Sequence, residues 1–260
     1  NGGLFRTVCE DLEVPNRSYA KRWFPDGGTG DLFKIAIWFE FNDDNVGFNN
    51  PTHTTLQSFK TTNNEYKMAR YRWNWQRRPQ DGTANNYTNI YALVEAANDN
   101  TANYAARMQS LADMEEWMRV FAFHRQTGNW DDWNYNVGQN MYAFKQPGVG
   151  WKLIPWDIDF TFGLGDGTTA PLGAGNLGGA SQDPVANRLF DAPAFRRMLM
   201  RAHQDAAFAG EVAEDLLLER GLEHISRADG NAGGEAAIER LAGGVLMDGV
   251  AGIDAAARQE

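Results

Sequence analysis

Cysteine and histidine, the residues that build disulfide frameworks and most zinc sites, are scarce in this sequence. It contains one cysteine, Cys9, and four histidines scattered along the chain. A single cysteine excludes an internal disulfide and a cysteine-rich zinc site. The separation of the histidines argues against a histidine metal cluster.

Positive charge and long apolar runs are also lacking. The chain has 24 Lys and Arg residues against 34 Asp and Glu residues, a net charge of −10, and such a surface repels nucleic acid and anionic membranes. No stretch approaches the roughly 20 apolar residues that span a bilayer, and no basic segment followed by an apolar run opens the sequence. We expect a globular protein without a membrane span, because 260 residues that are 43% hydrophobic suffice for a core.

Carboxylates are abundant, and four of them lie among aromatic residues between positions 129 and 163. They are Asp131, Asp132, Asp157 and Asp159. Aromatic neighbours favour burial, and a buried acid must be hydrogen-bonded, paired with a positive charge or coordinated to a metal. This composition is typical of a functional site.

A predicted β-hairpin brings part of this acidic stretch together. Residues 141–145 and 151–155 favour strands, and the Pro and Gly residues between them favour a tight connection. The hairpin places Asn140 and Asp157 at the same end, with Asp131 just upstream. A carboxylate, an amide and a second carboxylate in this order match the catalytic base and the two metal ligands of a protein kinase.

The region before the site is predicted to contain loops and one undecided apolar run. Residues 14–30 are loop-like, residues 32–41 could form a strand or a helix, and residues 42–66 should be irregular. Lys34, within the apolar run, is interpreted as a surface lysine in preference to a phosphate contact.

A basic cluster interleaved with aromatic residues follows. Its members are Lys67, Arg70, Arg72, Arg77 and Arg78. The cluster could form a surface for a phosphorylated or acidic partner. We favour the alternative, a strand whose alternate residues pack inside and pair with the excess acids.

Helical periodicity begins at Thr88, which can cap a helix over residues 89–97. A second, longer helix is expected to start near Thr101 or Asn100 and to continue through Phe121. Its end delivers His124 to the site. The helix dipole is a sufficient explanation for a histidine there, so we give it no catalytic role.

Downstream of the site, the glycines of residues 163–182 predict a flexible loop beside the cleft. Asp183 is expected to cap a helix that begins at Pro184 and is interrupted at Pro193. Two or three short helices are predicted from Leu216 onwards.

Several of these runs together resemble the CotH family of atypical protein kinases. The most specific is Ile-Pro-Trp-Asp-x-Asp. The matching runs are residues 128–131, 140–145 and 153–160, with weaker collinear matches at 9–16, 30–34, 69–75 and 183–197. The resemblance implies an α+β, protein-kinase-like fold over residues 1–205, mainly the C-lobe with part of the preceding strands. We expect this domain to lack its N-terminal lobe strands and residues 206–260 to form a helical extension.

The resemblance also assigns candidate roles within the site. It makes Asp131 the catalytic base, with Asp132 as the fallback, and Asp157 a metal ligand, with Asp159 as a second or joint ligand. Two asparagines compete for the remaining metal position. Asn136 has the kinase-like spacing of five residues after Asp131, whereas Asn140 directly precedes the strand, and we favour Asn140. The implied cofactors are ATP and Mg²⁺ or Mn²⁺, because hard cations choose oxygen ligands.

Three functional hypotheses follow from the sequence. The first is a CotH-type protein kinase, located outside the cytoplasm or at the cell surface, that transfers the ATP γ-phosphate to serine or threonine of a coat or surface protein. The second is a catalytically inactive structural module of the same fold. The third is a glycoside hydrolase with two catalytic carboxylates and aromatic sugar platforms.

Overall fold

The structure is a computed structural model that describes residues 13–24, 29–41, 48–78, 85–134, 138–159, 161 and 183–219. Helices and antiparallel strands share these segments. The helices are α1 (Arg17–Trp23), α2 (Met68–Asn74), α3 (Thr88–Ala97), α4 (Tyr104–Leu111), α5 (Met114–Gln126), α6 (Pro184–Asp191) and α7 (Pro193–Glu219). The strands are β1 (Asp31–Ile35), β2 (Trp38–Phe41), β3 (Phe48–Thr52), β4 (Trp75–Arg78), β5 (Met141–Gln146) and β6 (Gly150–Pro155). The expected α+β class is therefore confirmed.

The main sheet has four strands in the order β4-β1-β5-β6, and all its pairs are antiparallel. Strands β2 and β3 form a separate pair. In the main sheet Lys34 lies opposite Tyr142, which lies opposite Ile154. Residues directly opposite one another share a face of the sheet, so these three side chains belong to one face.

The two faces of the sheet bury different partners. One face packs on the main core, which includes residues of α3 to α7, and its sheet members are Phe33, Ile35, Trp75, Met141, Ala143, Trp151 and Leu153. The other face forms a smaller cluster in which Leu32 and Phe144 contact Ala20 of α1. Alternation of inward and outward side chains along β1 produces this division. The hairpin is thus buried on both faces and gives its ends a rigid base.

The predicted loop over residues 14–30 is wrong in part, because it contains helix α1. The Asn16 side chain accepts hydrogen bonds from the backbone N–H groups of Ser18 and Tyr19, at 2.8 and 3.0 Å. This N-cap satisfies donors that the first turn leaves unpaired. Ala20 then anchors the helix on the sheet.

The single long helix predicted from about Thr101 through Phe121 is also wrong, because α4 and α5 are separate. The chain breaks at Ala112, which forms a parallel bridge with Trp151 of β6. Asp113 donates its backbone N–H to the Trp151 carbonyl at 3.0 Å, and its side chain caps α5 by accepting from the Glu116 N–H. Because of this break, Ala112 and Asp113 can pair with Trp151 on the outer side of the edge strand β6. An edge strand would otherwise expose unpaired backbone groups.

The strand predicted for the basic cluster is correct only in part, and three of its five basic residues are exposed, namely Lys67, Arg72 and Arg78. Residues 68–74 form α2 and only residues 75–78 form a strand. Arg77 pairs with Asp31 at 2.7 Å with both side chains largely buried. Arg70 lies over the Phe59 ring and donates to the His53 carbonyl at 3.1 Å. These two arginines support the interior of the fold.

Other predictions have mixed outcomes. The undecided run 32–41 forms β1 and β2, and β3 lies in the segment expected to be irregular. Asp183 caps α6, and the helical region is interrupted before Pro193, as predicted. Helix α7 continues without a break past Leu216, where separate short helices were expected, whereas the domain boundary predicted at residue 205 stays a prediction. Residues 163–182 and 220–260 lie outside the described residues, so the loop and the last helices stay predictions.

Glu116 on α5 is expected to give the fold a distinct pH dependence. Both of its carboxylate oxygens accept from the Leu153 N–H of β6, and burial raises the pKa of Glu116 from 4.5 to about 8. The folded state therefore favours the protonated carboxyl. The protonated Glu116 carboxyl makes its full contribution to the free energy of unfolding below pH 4.5. This contribution is lost as the pH rises towards about 8.

We predict that Glu116→Gln will remove this part of the pH dependence, since a neutral amide oxygen can still accept from Leu153. Melting temperatures of the variant and the wild type should diverge by about 2–4 °C between about pH 5 and pH 8, which corresponds to about 1 kcal/mol. The matched control is Glu115→Gln, on the exposed side of the same helix turn. Parallel melting profiles for all three proteins would contradict the prediction.

Candidate active site

The β5–β6 hairpin brings Asn140 and Asp157 to the same end, as the sequence predicted. Met141 lies opposite Pro155 in the strand register, and the Trp156 N–H donates to the Asn140 carbonyl at 3.2 Å. Asn140 is nearly buried, whereas Asp157 is exposed. The hairpin therefore places one amide and one solvent-facing carboxylate at its open end.

Both residues have a left-handed backbone conformation. The φ angle is 57° at Asn140 and 54° at Asp157. This region is unfavourable for most L-residues, but Asn and Asp tolerate it best because their short polar side chains can bond locally. Backbone strain of this kind concentrates at functional sites. Its occurrence on both sides of one hairpin marks this end as a candidate site.

Asp131 lies at the same end of the hairpin, where hydrogen bonds hold both its carboxylate and its backbone. Its carboxylate accepts hydrogen bonds from Gln139 Nε2 at 2.6 Å and from Asn140 Nδ2 at 2.7 Å. Its backbone N–H donates to Asn129 Oδ1 at 3.2 Å. The structure thus joins Asp131 and Asn140 directly. Gln139 was missed in the sequence, where only its position beside Asn140 could have indicated a role.

The electrostatic environment makes Asp131 a stronger base than an ordinary aspartate. Burial raises its pKa most, and the nearby charges of Asp157 and Asp159 raise it further, against the lowering effect of its two hydrogen bonds. Asp159 is exposed, as Asp157 is. Two exposed carboxylates therefore act on a third, Asp131, which has raised basicity at a buried position.

Asp132 has different surroundings although it is the next residue. It is fully buried, accepts from Asn134 Nδ2 at 2.6 Å and lies 3.4 Å from His124 Nδ1. These contacts place it in the interior below the site. This environment favours Asp131 over Asp132 as the residue that meets a substrate. Asn136, the competitor of Asn140, lies outside the described residues.

The segment that carries Asp131 is anchored in the core by Trp133, which is 1% exposed. Its ring packs edge-on against Trp75, Trp117 and Phe121, with centroids 5.6, 5.7 and 6.2 Å away. Edge-to-face aromatic pairs add to the free energy of burial. The aromatic residues around Asp131 indicated burial from the sequence, but they did not indicate that Trp133 fixes the site to the sheet and to α5.

The dipole explanation for His124 is wrong. The side chain is fully buried, and burial together with the adjacent Arg125 lowers its pKa to about 3. A neutral imidazole gains little from the negative end of a helix dipole, which favours cations. His124 instead bonds to the segment that carries Asp131, through Asn129 Nδ2 at 2.8 Å.

A family comparison covers the part of the chain that contains these features. The model of the family described as CotH kinase protein matches residues 12–214, most of the chain. This protein belongs to the CotH kinase family. The matched region includes every element from α1 through most of α7, and with them the hairpin and the Asp131 segment. The chain has no significant match among curated proteins.

A CotH kinase is expected to use a nucleotide and a divalent cation, and the donor set here suits a hard cation. Asp157 and Asp159 offer carboxylates, and Asn140 offers a carbonyl oxygen while its Nδ2 is bonded to Asp131. The described residues contain no group of three or more His, Cys, Asp and Glu side chains with metal-binding geometry. Mg²⁺ is commonly held by one or two carboxylates together with substrate phosphates, so these residues fit the cation of a nucleotide complex.

Within the described segments, no helix is both long and apolar enough to cross a bilayer.

Proposed function

We propose that this CotH kinase has a protein-kinase-like fold and transfers the ATP γ-phosphate to serine or threonine of a coat or surface protein. The observation that carries the proposal is the bonded pair of Asp131 and Asn140 next to Asp157, at the open end of the hairpin. Family membership supports the reaction class. The spore-coat association common in the family supports a location outside the cytoplasm and a protein substrate.

Asp131 is the proposed catalytic base. Its carboxylate accepts the proton of the substrate hydroxyl, and its raised pKa increases its driving force for that transfer. The Gln139 and Asn140 amides fix the direction of the carboxylate. The Asp157 carboxylate and the side-chain oxygen Oδ1 of Asn140 would hold Mg²⁺ or Mn²⁺, with Asp159 as a further ligand. When bound, the cation supplies charge neutralisation of the polyphosphate.

Lys34 is the proposed contact for the nucleotide phosphates, in place of the surface lysine that the sequence favoured. It is half-buried on the central strand β1, on the sheet face that it shares with Tyr142, and Trp156 packs edge-on against Tyr142 at 5.5 Å. The Lys34 ammonium forms no ion pair or side-chain hydrogen bond with another described residue. A partly desolvated ammonium favours an anionic partner. Lys34 lies opposite Tyr142, and the next pair, Ile35 and Met141, is the last one before Asn140 at the open end of the hairpin.

Calorimetric titration of ATP into the chain, with Mg²⁺ or Mn²⁺ and again with EDTA, tests the site. A transfer assay with labelled ATP and a serine- and threonine-rich coat-type peptide tests the reaction. We expect saturable binding that EDTA abolishes, and label on the peptide. Binding without transfer under all conditions would favour the inactive structural module. Cleavage of glycosides without nucleotide would favour the hydrolase.

Lys34→Met is predicted to weaken ATP binding about tenfold or more, equivalent to about 1.4 kcal/mol, because the phosphate loses its ammonium partner. Lys145→Met is the matched control, since Lys145 is also half-buried and lies at the other end of the same sheet. The two variants should melt alike. Equal ATP affinities for both would remove Lys34 from the nucleotide site.

A further inference from the structure

Two consecutive residues at the end of α5 connect the core to both sides of Asp131. His124 contacts Asn129, whose Oδ1 accepts from the Asp131 N–H. Arg125 donates through Nε and Nη2 to the side chain and backbone carbonyl of Asn134, at 3.2 and 3.0 Å. All these side chains except that of Asp131 are 0% exposed. A buried polar network of this kind is costly unless its members are paired.

The orientation of the Asn129 amide follows from the Asp131 backbone. An N–H can only donate, so the oxygen of the amide faces Asp131 and the Nδ2 group faces His124. His124 Nδ1 lies 2.8 Å from this donor and 3.4 Å from Asp132 Oδ2, so the shorter contact is the hydrogen bond. With this orientation of the amide, Nδ1 is the acceptor and a neutral ring carries its proton on Nε2, a buried nitrogen that has no hydrogen-bond partner among the described residues.

We propose that His124 and Asn129 are positioning residues that set the backbone of the catalytic Asp131 through a relay of two hydrogen bonds. The inference rests on the proposed function of Asp131. The relay holds the main chain, while Gln139 and Asn140 hold the carboxylate from the opposite direction. A base fixed at both ends stays aligned with the substrate hydroxyl, and small misplacements of reacting groups are costly in rate.

The relay requires a neutral His124 with an unprotonated Nδ1. Protonation would turn Nδ1 into a donor that faces the Asn129 donor, and the amide could not flip without losing Asp131. Nitrogen NMR of the histidine ring should show a pyridine-like Nδ1 and a protonated Nε2 throughout the range from about pH 5 to pH 8. A protonated Nδ1 in this range would overturn the relay.

Asn129→Ala is the central kinetic test. It should lower kcat by about 10- to 100-fold and leave the KM for ATP within about twofold, because the nucleotide site is untouched. The matched control is Asn98→Ala, which also removes an amide that makes two hydrogen bonds, to the carbonyls of Leu56 and Val94. The control should destabilise the fold without slowing turnover by more than about twofold. Equal kcat values for the two variants would overturn the proposal.

Hydrogen exchange of the Asp131 amide separates this inference from the proposed function. Asn129→Ala should accelerate that exchange at least about tenfold, whereas Asn98→Ala should leave it unchanged relative to global stability. If the wild type transfers no phosphate, the proposed function fails and the exchange rates alone decide the relay. Should Asn129→Ala not fold, Asn129→Asp keeps the acceptor for Asp131 and loses the donor to His124. It should then retain Asp131 protection while changing the ring nitrogen shifts of His124, and unchanged shifts would overturn the relay.

Discussion

Asp157→Asn is expected to abolish divalent-dependent nucleotide binding while the protein remains folded. The carboxylate is exposed at the end of the hairpin, so its loss removes a charged oxygen ligand without opening the core. Asparagine is the appropriate replacement because the φ of 54° at this position is tolerated by Asn and Asp. Alanine would add a backbone cost of about 1 kcal/mol, which would mix strain with the loss of the ligand.

Calorimetry with ATP and Mg²⁺ or Mn²⁺ measures the effect, and thermal melting checks the fold. Affinity should fall at least about tenfold, and the melting temperature should stay within a few degrees. Asp191→Asn, which removes an exposed carboxylate at the end of α6, is the control for lost charge alone. Asp159→Asn reports whether the second acid is a joint ligand. Binding by Asp157→Asn that matches the Asp191→Asn control would exclude Asp157 from the metal site.

The sequence predicted the hairpin well because its information is local. Strand-favouring runs on either side of a turn with Pro and Gly determine both the pairing and the end at which Asn140 and Asp157 meet. Helix α6 was predicted for the same reason, since Asp183 and Pro184 define its start within two residues. These features needed no knowledge of the tertiary structure.

Where distant segments compete, the sequence was a poorer guide. The apolar spacing before Phe121 suits a continuous helix. The helix is interrupted because Ala112 and Asp113 pair with Trp151 of the edge strand β6, some 40 residues away. The spacing also cannot show that His124 is buried, since a polar residue near a helix end is usually exposed. Its burial and its bond to Asn129 depend on how α5 packs against the site. The raised pKa of Asp131 likewise arises from burial and from acids about 26 residues downstream.

The adjacent acids Asp131 and Asp132 can be distinguished by their paired asparagine variants. Asp131→Asn should lower kcat for phosphate transfer by about 100- to 10,000-fold, the usual contribution of a general base. ATP affinity should remain within a few-fold, because the proposed cation ligands are still present. An amide is neutral and cannot accept the hydroxyl proton, although it can still accept one of the hydrogen bonds from Gln139 and Asn140.

Asp132→Asn should instead affect stability more than kcat. Its side chain is fully buried beside His124 and Asn134, and an uncharged amide there changes the support of the segment without removing the base. We expect a lower melting temperature and a kcat that falls far less than in Asp131→Asn. Steady-state kinetics and melting of both variants make the comparison direct, since a change confined to kcat identifies a group that acts in the transition state. A larger loss of kcat in Asp132→Asn than in Asp131→Asn would transfer the role of base to Asp132, and the relay through Asn129 would then support the wrong carboxylate.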